Sequence, residues 1–297
     1  AKLSPRSIEV FDCTGQKLQK PINRVTWSVE AAEKGEYYFK LYSEDECKSE
    51  PSRENANFVY FPSKDAAADN RPFIFLVPGG GFVNVWNMTE GWPIARIYNE
   101  LGYHVFILTY QVGVEAAAVK AMDDMSRAME IIASRKEEFH VDPARYITCG
   151  FSAGGYLVCL WNTEKGYPAF RLPKPQACFP IYPCTSYRLM NDEEWDDNED
   201  KDAFAFSGVG CTMQEACNSC FEIPAHVQNF PPTALFASAE DELVDPEHSR
   251  TLARALENAD IPCRLEIGPT GGHGFADGIG MCMEGWPERA IRWYESL

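Results

Sequence analysis

The stretch ITCGFSAGGY, Ile147 to Tyr156, joins an apolar run to a helix-compatible segment and sets a serine among small residues at the junction. Read as G-x-S-x-G it offers Gly150, Ser152 and Gly154, a spacing that lets a strand turn sharply into a helix and leaves the serine oxygen exposed at the turn. Ser152 is then a candidate nucleophile. The alternative is an ordinary glycine- and serine-rich turn, so the segments around it must decide.

Working outward, the pattern alternates. RPFIFLVPGGGF is an apolar run ending in glycines, EGWPIARIYNELG is helical, and YHVFILTY reads as a strand. The helical VKAMDDMSRAMEIIASRKEEF, the strand ARYITC, the Ser152 turn and a helix through Leu160 follow. Downstream, QACFPIYP, PPTALFASA and CRLEIG are strand candidates, with helices in PEHSRTLARALENAD and PERAIRWYESL. Strands alternating with helices predict an α/β fold, with a mainly parallel central sheet covered by helices on both faces. Ligands of such sheets bind beyond the carboxyl ends of the strands, where Ser152 falls. The first seventy residues carry the short strand-like runs RVTWSV and NFVYFP, and SEDECKSEPSREN between them reads as surface loop.

The 297 residues are expected to form a single domain (1–297), with 185–228 as a lid or cap insertion. That segment interrupts the alternation: NDEEWDDNEDKD holds eight carboxylates in twelve residues and reads as a solvated loop, and Cys211, Cys217 and Cys220 follow it. A zinc site built on these cysteines with His226 is a minor alternative, because the C-x-x-C pair lacks a matching second pair. Neither a metal nor a cofactor is expected.

Twenty-seven lysines and arginines against 44 aspartates and glutamates leave a net charge of −17. That field repels nucleic acid and anionic membrane surfaces, and it suits a small-molecule or oligosaccharide substrate without charge. Eleven cysteines without disulfide-like spacing, several inside apolar segments (Cys149, Cys159, Cys178), read as reduced core thiols and point to the cytoplasm. No signal-peptide pattern opens the chain, although it starts at Ala1, which leaves a removed leader as the alternative.

A serine nucleophile needs a base, and the base needs an orienting carboxylate. Of five histidines, His104, His140, His226 and His248 lie in a strand, at a helix end, in the irregular segment and within a helix, and read as structural or exposed. His273 lies in GPTGGHGFADG, a glycine-rich loop directly after the last strand, and is the candidate base. LFASAEDELVDPEHS offers Glu240, Asp241 and Asp245 as acids; Asp245 before Pro246 suits a helix N-cap, and the D-x-x-V spacing favours Asp241 over Glu240. The VPGGGF turn supplies backbone N–H groups for a developing oxyanion, with Gly80, Gly81 and the amide of Ala153 as candidates.

VPGGGF, EGWPIARIYNELGYHVFILTYQV, DPARYITCGFSAGGYL, the run PPTALFASAEDELVDPEHSRTLARALENADIPCRLEI and GGHGF together resemble the α/β-hydrolase superfamily, and within it the acetylxylan-esterase-like branch of carbohydrate esterases. The resemblance runs from about Phe73 to the C-terminus. It implies the α/β-hydrolase fold, a Ser152, Asp241, His273 triad, and deacetylation of a carbohydrate; the residues alone imply only short-acyl ester chemistry. Where the branch often has Y-R-V, this chain has Tyr110, Gln111 and Val112, and the 185–228 segment departs from the branch. The alternatives are a peptidase of the same fold and an inactive hydrolase-fold binding protein. Acyl length, alcohol part, oligomeric state and pathway are not legible in the sequence.

Overall fold

The computed structural model describes residues 37–192 and 198–297. Eight strands form one sheet: β1 (Tyr38–Lys40), β2 (Asn57–Phe61), β3 (Phe73–Val77), β4 (Val105–Thr109), β5 (Tyr146–Phe151), β6 (Ala177–Ile181), β7 (Thr233–Ser238) and β8 (Cys263–Gly268). Their order is β1-β2-β4-β3-β5-β6-β7-β8, and every pair from β4 to β8 is parallel. β1 and β2 pair antiparallel with each other, and β2 pairs antiparallel with β4. The expected strand in RVTWSV lies outside the described residues.

The strands β2 to β7 are near-continuous apolar runs because both faces are covered. Ten α-helices run among the described residues: α1 (Glu44–Ser49), α2 (Trp92–Glu100), α3 (Ala117–Ser134), α4 (Lys136–Phe139), α5 (Ser152–Trp161), α6 (Tyr187–Asp192), α7 (Asn198–Val209), α8 (Met213–Cys217), α9 (Glu247–Asn258) and α10 (Trp286–Tyr294). On one face Met125, Met129 and Ile132 of α3 join Leu157 and Trp161 of α5 and Leu252 of α9 in a single core. On the other, Ile94 and Tyr98 of α2 meet Trp286 and Ile291 of α10 over Ile74, Ile107 and Phe236. No helix among the described residues is long and apolar enough to cross a membrane.

Two stretches read as loop are helical. SEDEC begins α1, where Ser43 and Glu46 form a reciprocal capping box, a spacing that was present in the sequence. The acidic run enters α7 from Asn198. The segment after β6 therefore packs as three short helices, with Tyr187, Met190, Val209, Met213 and Ile223 in the same core as α3 and α5. His248 of α9, buried, accepts the N–H groups of Thr185 and Ser186 at 3.1 Å and so anchors the start of that segment. Burial pushes this imidazole down to about 4, which keeps it a neutral acceptor.

Gln111, where the related branch often has arginine, is buried against Asp124 of α3. Its N–H and Nε2 donate to the carboxylate at 2.7 and 2.9 Å, and the Tyr42 hydroxyl donates at 2.8 Å. Burial outweighs these hydrogen bonds and raises the carboxyl to about 6. An acid raised in the folded state binds more protons there than in the unfolded chain, so its contribution to stability is present below about pH 4 and lost as the pH rises through about 6. Asp124→Asn removes that titration. The stability of the variant relative to wild type is expected to rise by about 2–3 kcal/mol between pH 4 and pH 7, read from denaturant unfolding at each pH; a pH-independent difference contradicts the assignment.

Candidate active site

The strand order reverses at β3: β4 lies on one side of it and β5 on the other. The crevice beyond the carboxyl ends of β3 and β5 is the topological switch point, where loops diverge and a ligand can enter. The Pro78–Phe82 loop leaves β3 there and Ser152 leaves β5 there.

Ser152 has φ of 50°, in the left-handed region, which costs a non-glycine residue about 1–2 kcal/mol. The neighbours explain how the turn is held. A Cβ on Gly150 would stand 2.3 Å from the Gly154 carbonyl oxygen, and one on Gly154 would stand 2.1 Å from the Val77 carbonyl oxygen and 2.4 Å from that of Pro78. The first turn of α5 is thus pressed on β5 and on the end of β3, which leaves no room for a side chain at either glycine.

His273 Nε2 lies 2.9 Å from Ser152 Oγ, and His273 Nδ1 lies 2.8 Å from Asp241 Oδ2. With Nδ1–H donating to the carboxylate, Nε2 is left as the acceptor facing the serine hydroxyl. The Asp241 side chain is 1% exposed and that of His273 16%. The other Asp241 oxygen accepts the N–H groups of Leu243 at 3.0 Å and Val244 at 2.9 Å. That local turn is the physical content of the D-x-x-V spacing. Glu240 is exposed. The Asp245 carboxylate accepts the Glu247 N–H at 2.7 Å, at the start of α9, where Pro246 rather than Asp245 is the flanking cap residue.

In the glycine turn, Gly80 and Gly81 have φ of 134° and 61°. Among the described residues none accepts the N–H of either, and Ala153, in the first turn of α5, has no carbonyl four residues back within its helix. The Gly79 N–H is occupied: it donates to Glu90 Oε2 at 2.6 Å.

The remaining histidines stand apart from Ser152. His104 is buried between the Tyr60 hydroxyl and Asp69, His140 is exposed, His226 pairs with Glu164, and His248 anchors the segment after β6. Cys211, Cys217 and Cys220 lie in that segment, between α7 and α8, at the end of α8 and after it.

Three residues around the site were missed in the sequence. Ser238, last in β7, accepts the N–H groups of Gly272 at 3.0 Å and Glu240 at 3.2 Å, tying the Asp241 and His273 loops together. Tyr182 packs against His273 at a tilt, with ring centroids 4.8 Å apart. Glu90 is buried in a single π-helical turn, Asn87–Gly91, before α2. Each lies at or near a strand or helix end and carries no local signal.

The match to known proteins agrees with this architecture. A family described as alpha/beta hydrolase fold matches residues 74–277. The acetylxylan esterase of Xylanibacter ruminicola is 25% identical over 205 residues, 68% of this chain and 40% of the relative. Endo-1,4-beta-xylanase B of Butyrivibrio fibrisolvens is 23% identical over 241 residues, 77% of this chain and 36% of the relative. The chain therefore spans well under half the length of these curated relatives. Among solved structures, the acetyl ester-xyloside bifunctional hydrolase of Caldicellulosiruptor lactoaceticus superposes with a TM-score of 0.71 at 22% identity, over 87% of this chain and 95% of that one. A thermophilic esterase of Thermogutta terrifontis superposes with a TM-score of 0.66 at 20% identity, over 81% and 89%.

The packing at the turn is testable by stability alone. Gly154→Ala drives a methyl group into two backbone carbonyls and is expected to cost at least about 3 kcal/mol. Gly81→Ala, which meets nothing within 4 Å, costs only the left-handed penalty of about 1–2 kcal/mol. Denaturant unfolding of both variants checks the order; equal losses mean that α5 is not pressed on β3.

Proposed function

We propose that this chain, which belongs to the alpha/beta hydrolase fold family, is a serine carboxylesterase for short acyl esters, with an acetylated carbohydrate as its substrate. The observation that carries the reading is the hydrogen-bonded line from Ser152 Oγ to His273 at 2.9 Å and on to Asp241 at 2.8 Å. His273 takes the Ser152 proton as Oγ attacks the ester carbonyl, and Asp241 holds the ring and stabilises the imidazolium that forms. The N–H groups of Gly80, Gly81 and Ala153 receive the charge on the former carbonyl oxygen. His273 then protonates the leaving alcohol, and water, deprotonated by the same nitrogen, releases the acyl group. The carbohydrate part of the proposal rests on the likeness to acetylxylan esterase. The net charge of −17 supports an uncharged substrate.

Ser152→Ala is expected to lower hydrolysis of a short aryl acetate by about five to six orders of magnitude with an unchanged melting temperature. Retained turnover in the folded variant places the nucleophile elsewhere. A parallel screen of acetylated xylo-oligosaccharides and short peptides tests the substrate class; preferential peptide cleavage overturns it.

The choice of acid is tested by a pair of isosteric changes. Asp241→Asn is expected to slow turnover about ten-thousand-fold, whereas Glu240→Gln leaves it within about twofold, as for a surface change. The reverse pattern assigns the acid to Glu240.

A further inference from the structure

Glu90 has no part in the proton transfers described above, yet it is buried beside them. One carboxylate oxygen accepts the Gly79 N–H at 2.6 Å, and the other accepts the Tyr182 hydroxyl at 2.9 Å. Gly79 leads directly into the two glycines offered to the oxyanion, and a Cβ placed on it would stand 2.9 Å from both Glu90 Oε2 and Ser152 Cβ. Tyr182 has a left-handed φ of 37°. It packs its ring on His273 and on Phe275, at 4.8 and 4.7 Å between centroids, and its hydroxyl accepts the Ala276 N–H at 3.3 Å. The chain from the glycine turn to the histidine loop is therefore continuous: Gly79, Glu90, Tyr182, Ala276.

We propose that Glu90 is a positioning residue which, through Gly79 on one oxygen and Tyr182 on the other, sets the oxyanion-binding turn and the His273 ring in register across Ser152. Three features support it. The carboxylate is 6% exposed, and a charge so placed is costly unless its hydrogen bonds serve the fold or the site. It lies in a π-helical turn, an irregularity frequent at functional sites. Burial pushes its carboxyl above the usual range against the Gly79 and Tyr182 hydrogen bonds and the nearby His273, so the position is held at an electrostatic cost. Because Glu90 touches neither the serine nor the oxyanion amides themselves, it acts through Gly79 and Tyr182.

This inference rests on the esterase reading, and its test separates the two. Glu90→Ala cuts both links and is expected to lower kcat about 100-fold with KM within about threefold, because sub-ångström misalignment of reacting groups is expressed in kcat. Glu90→Gln, whose amide can still accept from Gly79 and donate to the Tyr182 oxygen, recovers most of that loss. Tyr182→Phe, which deletes a single hydroxyl, carries the test if Glu90→Ala does not fold, with an expected loss of about tenfold. The double variant Glu90→Ala/Tyr182→Phe falls no further than Glu90→Ala, since the two act as one unit. An intact kcat in Glu90→Ala or Tyr182→Phe, a loss confined to KM, or losses that multiply overturns the proposal. Hydrogen exchange supplies an arm independent of turnover: peptides covering 79–86 and 271–276 are expected to exchange faster together in Tyr182→Phe and in Glu90→Ala. Acceleration confined to the peptide that carries the substitution overturns it. Failure of Ser152→Ala to abolish hydrolysis removes the Ser152 mechanism on which the kcat arm rests and leaves the exchange result to judge Glu90.

Discussion

The site depends on one contact: the first turn of α5 pressed against the end of β3. With Gly154 hard against the Val77 and Pro78 carbonyls, the chain leaving β5 must turn within a single residue, and Ser152 takes the left-handed conformation that this requires. A larger residue at Gly150 or Gly154 would lift the helix, and a relaxed turn would aim the hydroxyl elsewhere. Strain of about 1–2 kcal/mol at one residue is held by the packing of the α5 core, where Leu157, Val158, Leu160 and Trp161 are fully buried. The fold thus maintains a local conformation that the local sequence alone would not choose.

Around that turn the loops at the carboxyl edge are tied to one another as well as to the sheet. Ser238 links the loops of Asp241 and His273. Glu90 and Tyr182 link the glycine turn to the histidine loop from the other side. His248 fixes the chain as it leaves β6, and the Tyr156 hydroxyl of α5 donates to the Phe221 carbonyl at 3.3 Å at the far end of the same segment. Loop-borne functional groups gain their precision from such cross-links, since each loop by itself has many accessible conformations.

The cost of burying charge is met differently at three of the buried acids among the described residues. Asp241 pairs with an imidazole and two backbone N–H groups. Asp124 is met only by neutral donors, and its carboxyl is pushed up to about 6. Glu90 also faces neutral donors, with His273 nearby. Only the first of these was singled out in the sequence, as the candidate acid, because its neighbours in the chain supply its turn.

What the sequence by itself determined are the features written in local pattern. The alternation of apolar runs and amphipathic segments predicted the strands from Phe73 onward and, outside the 185–228 segment, the main helices between them, since side-chain period is a local property. The small residues around Ser152 and His273 marked the two loops, and the D-x-x-V spacing marked Asp241, each because the chemistry needs backbone room or a local hydrogen bond. The capping box at Ser43 was equally local and was passed over in a stretch rich in charge. Tertiary structure alone decided the reversal of strand order at β3, the antiparallel β1 and β2 edge, and the folding of the segment after β6 into the α3 and α5 core. It also decided the roles of Glu90, Tyr182 and Ser238, which have their partners 11, 92 and 34 residues away. Contacts of that range are set by which strands lie side by side, and a pattern read along one segment carries no information about its neighbour in space.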